Sequence, residues 1–308
     1  MNASHRPRAA FRAAALVLVP VALVALAGCE DAQTSPVSSG GTQTPTSSTP
    51  PSPSQDPSPS PTATSGEPSP TGAAAPVYFV ATTPQGARLF REFQRVEADP
   101  VAAAALLVDG GTPLDPDYRT LWPGGVVESA AAAADVITVD LTADAFTERP
   151  EGMRRKDAAL ALQQMVHTLQ GASQSSAPVQ FRRSTGPQTL FGIDVSAPLT
   201  RADFLDVMGL VNVTSPEQGS TVTDSFTASG LASSFEGTVR WEIRTRDEVV
   251  LNGFTTAEGW VDKLYPWETT IDVSSLPAGA YTFAALTDDP SDGEGGGPTE
   301  DTKDFTVS

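Results

Sequence analysis

A long segment near the start of the chain cannot fold by itself, and this limits where folded structure can lie. Residues 29–76 are dominated by proline, serine, threonine and glycine, with Val37 as their single branched aliphatic residue. Because such a segment buries almost no apolar surface, it cannot offset the entropy lost on ordering. We therefore predict a disordered, extended tether over residues 29–76, with folded structure confined to residues 77–308.

The front of the chain is typical of a secretory signal. Residues 1–12 carry only positive charge, and the apolar run 13–27 is too short to cross the roughly 30 Å of a bilayer core. The run ends in Leu26-Ala27-Gly28-Cys29, which resembles a bacterial lipobox. The resemblance implies that residues 1–28 are removed and that Cys29 receives a diacylglyceryl group. The alternative is an ordinary secretory signal followed by a chance cysteine.

An acylated Cys29 predicts an extracytoplasmic lipoprotein on the outer face of the cell membrane. Stable anchoring takes more than one acyl chain, at about 0.8 kcal/mol for each buried methylene, and a diacyl group supplies two chains. The alanine-rich, lysine-poor composition is typical of a high-GC, actinobacterial type of genome. The tether would then raise the folded part by up to on the order of 100 Å through the cell wall.

Charge and composition exclude several classes of function. The 37 acidic residues outnumber the 19 basic ones, giving a net charge of −18, which argues against nucleic acid as a partner. The single cysteine excludes an intramolecular disulfide and a zinc site with several thiolates. His5 and His167 are the only histidines. We therefore expect no metal, no cofactor and no catalytic residue, and hence a non-enzymatic protein.

Residues 77–209 predict an α+β domain with its helices on one face of a mixed sheet. Asp99-Pro100 and Gly110-Gly111 are the expected start and stop of a short helix over 101–108. Apolar residues at helical spacing predict a longer helix over 154–170, and the Thr200–Phe204 stretch predicts a short third helix capped by Thr200. The expected strands open at Val77 and include residues 88–96, two strands within 126–141, and one beginning at Val179.

Residues 210–308 predict an immunoglobulin-like β-sandwich, because short alternating runs are separated by turn signals. In the clearest run Val239, Trp241 and Ile243 share one face, which we expect to be the core. The seven expected strands cover residues 210–214, 221–230, 236–246, 248–256, 267–273, 279–287 and 302–308. No polar linker precedes residue 210, so we also expect the two domains to share an interface.

The two domains resemble a pair known from bacteria. The first resembles the GerMN (sporulation and spore germination) domain, and the second resembles the immunoglobulin-like domain of bacterial spore germination that accompanies it. The first resemblance rests on Val77-Tyr78-Phe79, Val139-Asp140-Leu141, Thr168-Leu169 and Pro198-Leu199-Thr200-Arg201. The second rests on Ser215-Pro216, Gly219, Val222, Phe235-Glu236, Val239, Trp241, Pro277, Gly279, Tyr281 and Phe305-Thr306-Val307. The resemblance implies a spore-germination class of surface lipoprotein.

Few residues are candidates for chemistry. Trp260, Tyr265 and Trp267 surround a turn and form a candidate platform for stacking a sugar ring, with packing in the sandwich as the alternative. His167 follows Val166 of the apolar stripe, which predicts a solvated histidine on the polar side of its helix. The acids of loop 288–301 lack the spacing of an EF-hand calcium loop, so we expect a solvated, flexible loop, with a weak calcium site as the alternative. Four acids could supply a carboxylate pair for sugar hydrolysis, although chance proximity among 37 acids is the alternative: Asp135, Asp140, Asp144 and Glu148.

These observations favour a lipid-anchored envelope protein that displays an interaction module to another envelope protein or to a wall polymer. The alternative is a peptidoglycan-binding or other wall-glycan-binding protein, or a weak hydrolase, that uses the aromatic turn.

Overall fold

The computed structural model describes residues 72–96, 99–246, 248–289, 294 and 296–308. All of them belong to the unit Ser65–Ser308. The predicted signal peptide, Cys29 and nearly all of the predicted tether lie outside the described residues.

The first domain alternates strands and helices, as the sequence predicts. Its elements are β1 (Ala73–Thr83), β2 (Gly86–Val96), α1 (Pro100–Val108), β3 (Val127–Ala132), β4 (Ile137–Leu141), α2 (Arg155–Ala172), β5 (Val179–Arg183), β6 (Thr189–Leu190), β7 (Ile193–Asp194) and α3 (Phe204–Val207).

Strands β1 to β5 form two separate sheets rather than one. Strands β1 and β2 form a long antiparallel hairpin. Strand β4 pairs antiparallel with β3 and parallel with β5, which makes a mixed three-stranded sheet. Strand β1 begins four residues before the expected start, at Ala73, because Ala73 to Pro76 pair with residues 93–96 of β2. Helix α2 contacts β1 and α1, and α1 contacts β3.

The N-terminal caps of α1 and α3 are both aspartates. The Asp99 carboxylate accepts hydrogen bonds from the main-chain nitrogens of Val101 (3.0 Å) and Ala102 (3.4 Å), which confirms the predicted start of α1. The prediction for α3 was wrong by three residues. Its N-cap is Asp203, whose carboxylate accepts a hydrogen bond from Leu205 N at 2.9 Å. Thr200 was predicted as the cap and Asp203 as the acid three residues later, but Asp203 is itself the cap.

In its described residues, the second domain is β apart from one short turn of 3-10 helix at Phe235–Gly237. Its strands are β8 (Val211–Ser215), β9 (Ser220–Val222), β10 (Ser225–Ala232), β11 (Thr238–Thr245), β12 (Glu248–Thr256), β13 (Tyr265–Asp272), β14 (Gly279–Thr287) and β15 (Glu300–Val307).

These strands form a sandwich of a three-stranded sheet, β13-β10-β8, and a five-stranded sheet, β12-β11-β14-β15-β9. The expected single strand over 221–230 is divided between the sheets, because β9 pairs with β15 whereas β10 pairs with β13 and β8. Val239 and Ile243 of β11 are fully buried. Trp241, expected beside them, is half-buried because its indole extends sideways across Gly253 of the edge strand β12.

The predicted fold class is confirmed: an α+β domain is followed by an immunoglobulin-like sandwich. No helix in the described part of the chain has the length and apolarity needed to cross a membrane.

Candidate functional site

The three aromatic residues predicted as a platform do not share one surface. Trp267 points into the sandwich and is only 3% exposed, so its prediction as a stacking residue was wrong. The strand that carries it alternates between core and solvent, and Trp267 falls on the core side. Tyr265 is half-buried, and its ring lies against the backbone of Gly259, where an added Cβ would approach within 2.6 Å. Trp260, in the loop between β12 and β13, is 41% exposed.

Trp260 instead pairs with Phe235, which is not among the residues predicted for this site. The two ring centroids lie 5.2 Å apart at an interplanar angle of 71°, which is an edge-to-face contact. Val261 beside them is 62% exposed. We call Phe235, Trp260 and Val261 the aromatic tip. The sequence carries one signal that Phe235 is exposed: it is a large aromatic residue in a turn, next to Glu236-Gly237. Turn residues usually lie on the surface.

The backbone of the aromatic tip is strained. Val261 has a φ of 85° and Glu236 a φ of 52°, and a β-branched residue at positive φ is an outlier. A hydrogen bond from Val261 N to Ser233 Oγ (3.2 Å) holds this conformation. Strain of this kind costs on the order of 1–3 kcal/mol and persists only where surrounding structure imposes it. The surrounding loops therefore hold the apolar side chains outward.

Tyr265 supports the loop beside the tip. Its hydroxyl donates to Asp262 Oδ1 at 2.8 Å, and Lys263 Nζ lies 4.7 Å from the ring centroid. The hydrogen bond to Asp262 raises the pKa of the Tyr265 phenol. Tyr265 thus positions the loop that carries Trp260 rather than offering a free ring face beside it.

A second concave surface lies in the first domain, between α2, β2 and the segment that leads into α3. This α2 groove has a volume of about 560 Å³, within the range of roughly 300–1,000 Å³ typical of ligand sites. Its lining consists of Gln85, Ala87, Arg88, Lys156, Asp157, Ala159, Leu160, Leu162, Gln163, Ile193, Leu199, Ala202, Asp206 and Val207.

Hydrogen bonds fix the walls of the α2 groove. The Gln163 side chain donates to Thr200 O (3.2 Å) and accepts from Ala202 N (2.8 Å), which ties the 200–202 segment to α2. The Arg88 guanidinium donates to the Asp206 carbonyl oxygen and so ties β2 to α3. Hydrogen bonds within the chain therefore join the three segments that form the groove.

A buried charged cluster joins the two domains. Lys303 of β15 is 3% exposed, and its Nζ donates to Asp115 Oδ2 (2.6 Å) and Tyr118 Oη (2.7 Å) and contacts Asp301 Oδ1 (3.3 Å). Tyr118 Oη donates to Asp301 Oδ1 (2.6 Å), and Asp301 Oδ2 accepts from Val213 N (2.6 Å). We call Asp115, Tyr118, Asp301 and Lys303 the interdomain cluster.

The ionisation of the interdomain cluster follows from its burial. Burial disfavours the charge on Lys303, but Asp301 and Asp115 outweigh that effect, and the pKa of the ammonium is raised. The pKa of Asp115 is also raised, because the effect of burial on its carboxylate is larger than the opposing effect of the Lys303 charge. Asp115 shares that lysine with Asp301. Burial, followed by the charges of Asp301 and Asp115, raises the pKa of Tyr118 well above its ordinary value. At neutral pH the lysine is charged and the phenol is neutral.

Apolar and further polar contacts extend the same interface. Leu264 of the second domain belongs to a buried cluster whose other members come from the first domain and α3: Tyr78, Val80, Leu89, Leu160, Val207 and Met208. The Arg91 guanidinium donates to Thr214 Oγ1 (2.9 Å), and Thr302 Oγ1 donates to Asp117 Oδ2 (2.8 Å). The interface expected from the missing linker is therefore present, and its polar part is well hydrogen-bonded.

His167 is not a surface residue, so its predicted exposure was wrong. It is 1% exposed, and its ring lies 5.4 Å from that of Tyr78 and 5.2 Å from that of Phe204. Helix α3 covers this side of α2 through Phe204. The apolar pattern of α2 alone does not predict this contact. Neither ring nitrogen makes a well-aligned hydrogen bond. Burial, with a smaller effect of the Arg201 charge and a slight opposing effect of the Ala202 backbone, lowers the pKa of His167 to about 3.

Asp140, one of the acids proposed for hydrolysis, is held by Arg182 and Ser129. Asp140 lies on the outer face of β4 and accepts from Arg182 Nε (2.8 Å) and Ser129 Oγ (2.9 Å). The Arg182 hydrogen bond lowers the pKa of Asp140, which suits a structural ion pair rather than a proton donor. Within the described ranges, no group of three or more potential ligand side chains could hold a metal ion.

The segment 288–301 was predicted to be a flexible loop, but its last two residues lie in a strand. Glu300 and Asp301 belong to strand β15, and Asp301 is buried in the interdomain cluster. Residues 290–293 and 295 lie outside the described residues.

Comparisons with known proteins identify both domains. A family model described as "Sporulation and spore germination" matches residues 76–184. A second, described as "Immunoglobulin-like domain of bacterial spore germination", matches residues 210–294. No curated protein matches the chain.

Two solved structures show only distant likeness. The tandem GerMN domains of the sporulation protein GerM from Bacillus subtilis match at 16% identity and a TM-score of 0.32, covering 45% of this chain and 48% of that one. The chain thus spans about half the length of that relative. A lytic polysaccharide monooxygenase from Jonesia denitrificans matches at 16% identity and a TM-score of 0.22, covering 30% of this chain and 60% of that one. At these scores neither match bears on function.

The two family matches confirm the resemblance that the sequence motifs indicated. The chain carries a sporulation and spore germination domain of the GerMN type followed by an immunoglobulin-like domain of bacterial spore germination.

Proposed function

We propose that this spore-germination-class chain is a non-enzymatic lipoprotein of the cell envelope that displays its two domains to another envelope protein. The exposed aromatic tip carries the proposal. Phe235, Trp260 and Val261 are between 40% and 62% exposed on a chain with a net charge of −18. Clustered exposed apolar side chains mark interaction sites, and tryptophan is enriched among residues that dominate binding energy.

The interdomain cluster supports a display role. Its hydrogen bonds join the two domains through groups that are almost completely buried, so the sandwich cannot swing freely from the first domain. A firmly held tip loses less conformational entropy when a partner binds.

The anchor is tested by replacing Cys29. We expect Cys29→Ala to move the protein almost completely from the membrane fraction to the medium or wall wash, because no acyl chain would remain. Fractionation of cells, followed by immunoblotting and phase separation in detergent, measures this. The matched control is Ser35→Ala, a small substitution in the same segment. Retention of Cys29→Ala in the detergent phase at native abundance would overturn the proposed topology.

Wall glycan is the second candidate partner, because an exposed tryptophan offers an apolar face to a sugar ring. In that case the purified protein would pellet with peptidoglycan, and Trp260→Ala would abolish pelleting. Tyr265→Ala would weaken it indirectly by releasing the supporting loop. Trp267 is buried and is expected to affect stability only.

The same assay tests the non-enzymatic part of the proposal. We expect no release of wall sugars by the purified protein. Sugar release that persists through repurification and disappears when a carboxylate such as Asp140 is replaced by asparagine would establish a hydrolase instead.

A further inference from the structure

The α2 groove combines an aliphatic floor with cations that lack a carboxylate partner. Leu160 and Val207 are buried at its base, and Ile193 and Leu199 are half-buried. The aliphatic lining gives any occupant an apolar surface to cover, at about 25 cal/mol for each Å² removed from water.

Two cations line the groove. Arg88 and Lys156 form no ion pair with any residue that the structure describes. Of the two acids in the lining, Asp157 is already held by the guanidinium of Arg154 at 2.7 and 2.9 Å. Asp206 contributes one negative charge, so the available cations outnumber the available acids.

The surroundings strengthen this local positive charge. The short segment from Arg149 to Lys156 contains Arg149, Arg154, Arg155 and Lys156 against one acid, Glu151, in a chain where acids outnumber bases by 37 to 19. The four basic side chains are exposed. Arg155 and Lys156 stand in the first turn of α2, where the helix dipole favours negative charge rather than positive charge.

We propose that the α2 groove binds a segment of a partner polypeptide in which an acidic side chain lies among aliphatic side chains. The aliphatic side chains would cover Leu160, Val207, Ile193 and Leu199, and the carboxylate would pair with Lys156 and Arg88. Complementary charge of this kind contributes more to selectivity and association rate than to raw affinity.

The open shape of the groove favours a polypeptide over an isolated alkyl chain. Lys156, Ala159 and Asp206 are exposed along it, so an alkyl chain would remain partly in water. A peptide can turn apolar side chains inward and keep its polar backbone towards solvent. The groove shares no lining residue with the aromatic tip, so the two surfaces can be altered by different substitutions.

A random heptapeptide library displayed on phage, panned against the purified full-length protein, tests the proposal. Ala159→Trp is the blocking variant, because Ala159 is exposed on α2 and an indole there would fill the groove without disturbing the core. We expect enriched peptides with Asp or Glu beside Leu, Ile, Val, Met or Phe. Their affinity should fall about tenfold or more for Ala159→Trp, as loss of a central apolar contact does.

A matched pair of charge variants separates groove binding from general attraction to the basic segment. Lys156→Gln, which lines the groove, is expected to weaken the selected peptides about two- to fivefold, the size of one exposed charge contact. Arg155→Gln, its exposed neighbour outside the lining, should change their affinity less than about twofold.

Three outcomes would overturn the proposal: no enrichment over Ala159→Trp, enriched peptides without an acid, or equal losses for Lys156→Gln and Arg155→Gln. Because Ala159→Trp leaves Cys29 and the aromatic tip intact, failure here would leave the proposed envelope function standing.

Discussion

Replacing Lys303 with methionine is expected to lower the free energy of unfolding by about 3–5 kcal/mol, the usual cost of removing one partner from a buried ion pair. Methionine keeps an unbranched side chain but supplies no charge and no hydrogen-bond donor. Asp115 and Asp301 would remain buried at 2% and 3% exposure with only their remaining hydrogen-bond donors. Urea unfolding of the full chain, followed by tryptophan fluorescence, measures the change.

Two variants make this prediction specific. Lys263→Met also removes a lysine from the second domain, but Lys263 is exposed, so its effect should stay within about 0.5 kcal/mol. Adding Asp115→Asn to Lys303→Met should restore part of the lost stability, because one uncompensated charge disappears. Equal effects of Lys303→Met and Lys263→Met would contradict the assigned role of the interdomain cluster.

Acid is expected to destabilise the protein through His167. Its pKa is about 3 in the folded chain and about 6.5 in the unfolded chain. Between these values only the unfolded state takes up the proton, so stability falls as the pH falls from about 6.5 to about 3. The loss is on the order of 3–5 kcal/mol across the whole window and is absent above it.

His167→Phe isolates this effect. The substitution removes the titrating group, keeps an aromatic ring beside Tyr78 and Phe204, and leaves no ring nitrogen buried without a hydrogen bond. Stability measured by urea unfolding at pH 7.0, 5.5 and 4.5 should fall less steeply in the variant. Carboxylates such as Asp140 and Asp157 titrate in both proteins, so the difference between the two profiles reports His167. Parallel profiles would contradict a buried neutral histidine.

Sequence reasoning found most elements of the fold because local signals determine them. Asp99 and Pro100 start α1 through the side-chain cap and the fixed φ of proline. Alternation places Val239 and Ile243 in the core of the sandwich. Both signals act within a few residues and do not depend on the rest of the chain.

Local sequence patterns did not predict contacts between elements that are far apart in sequence. His167 is buried by α3, which lies more than thirty residues away in sequence. Asp301 and Lys303 face inward in register with Phe305 and Val307, and extending that alternation backward would have indicated two buried charges. Their partners Asp115 and Tyr118 come from the other domain, and no local pattern identifies them.

The aromatic site shows the same limit. The alternation of β13 places the side chains of Tyr265 and Trp267 on the same face of the strand. It does not indicate that this face lies in the core at Trp267 and is partly exposed at Tyr265. The edge-to-face pair of Phe235 and Trp260 joins two loops of the sandwich. Its formation depends on how β11 and β13 are placed in different sheets.

Photo-crosslinking from position 261 in intact cells tests the central claim, display of the aromatic tip to an envelope protein, most directly. Val261 is 62% exposed at the tip, and the matched control position is Ala134, which is exposed in the first domain. We predict one discrete protein adduct from position 261 that is absent from position 134 and is lost when Trp260 is replaced by alanine. Adducts from position 261 that consist only of wall glycan, or that are identical from both positions, would contradict the claim.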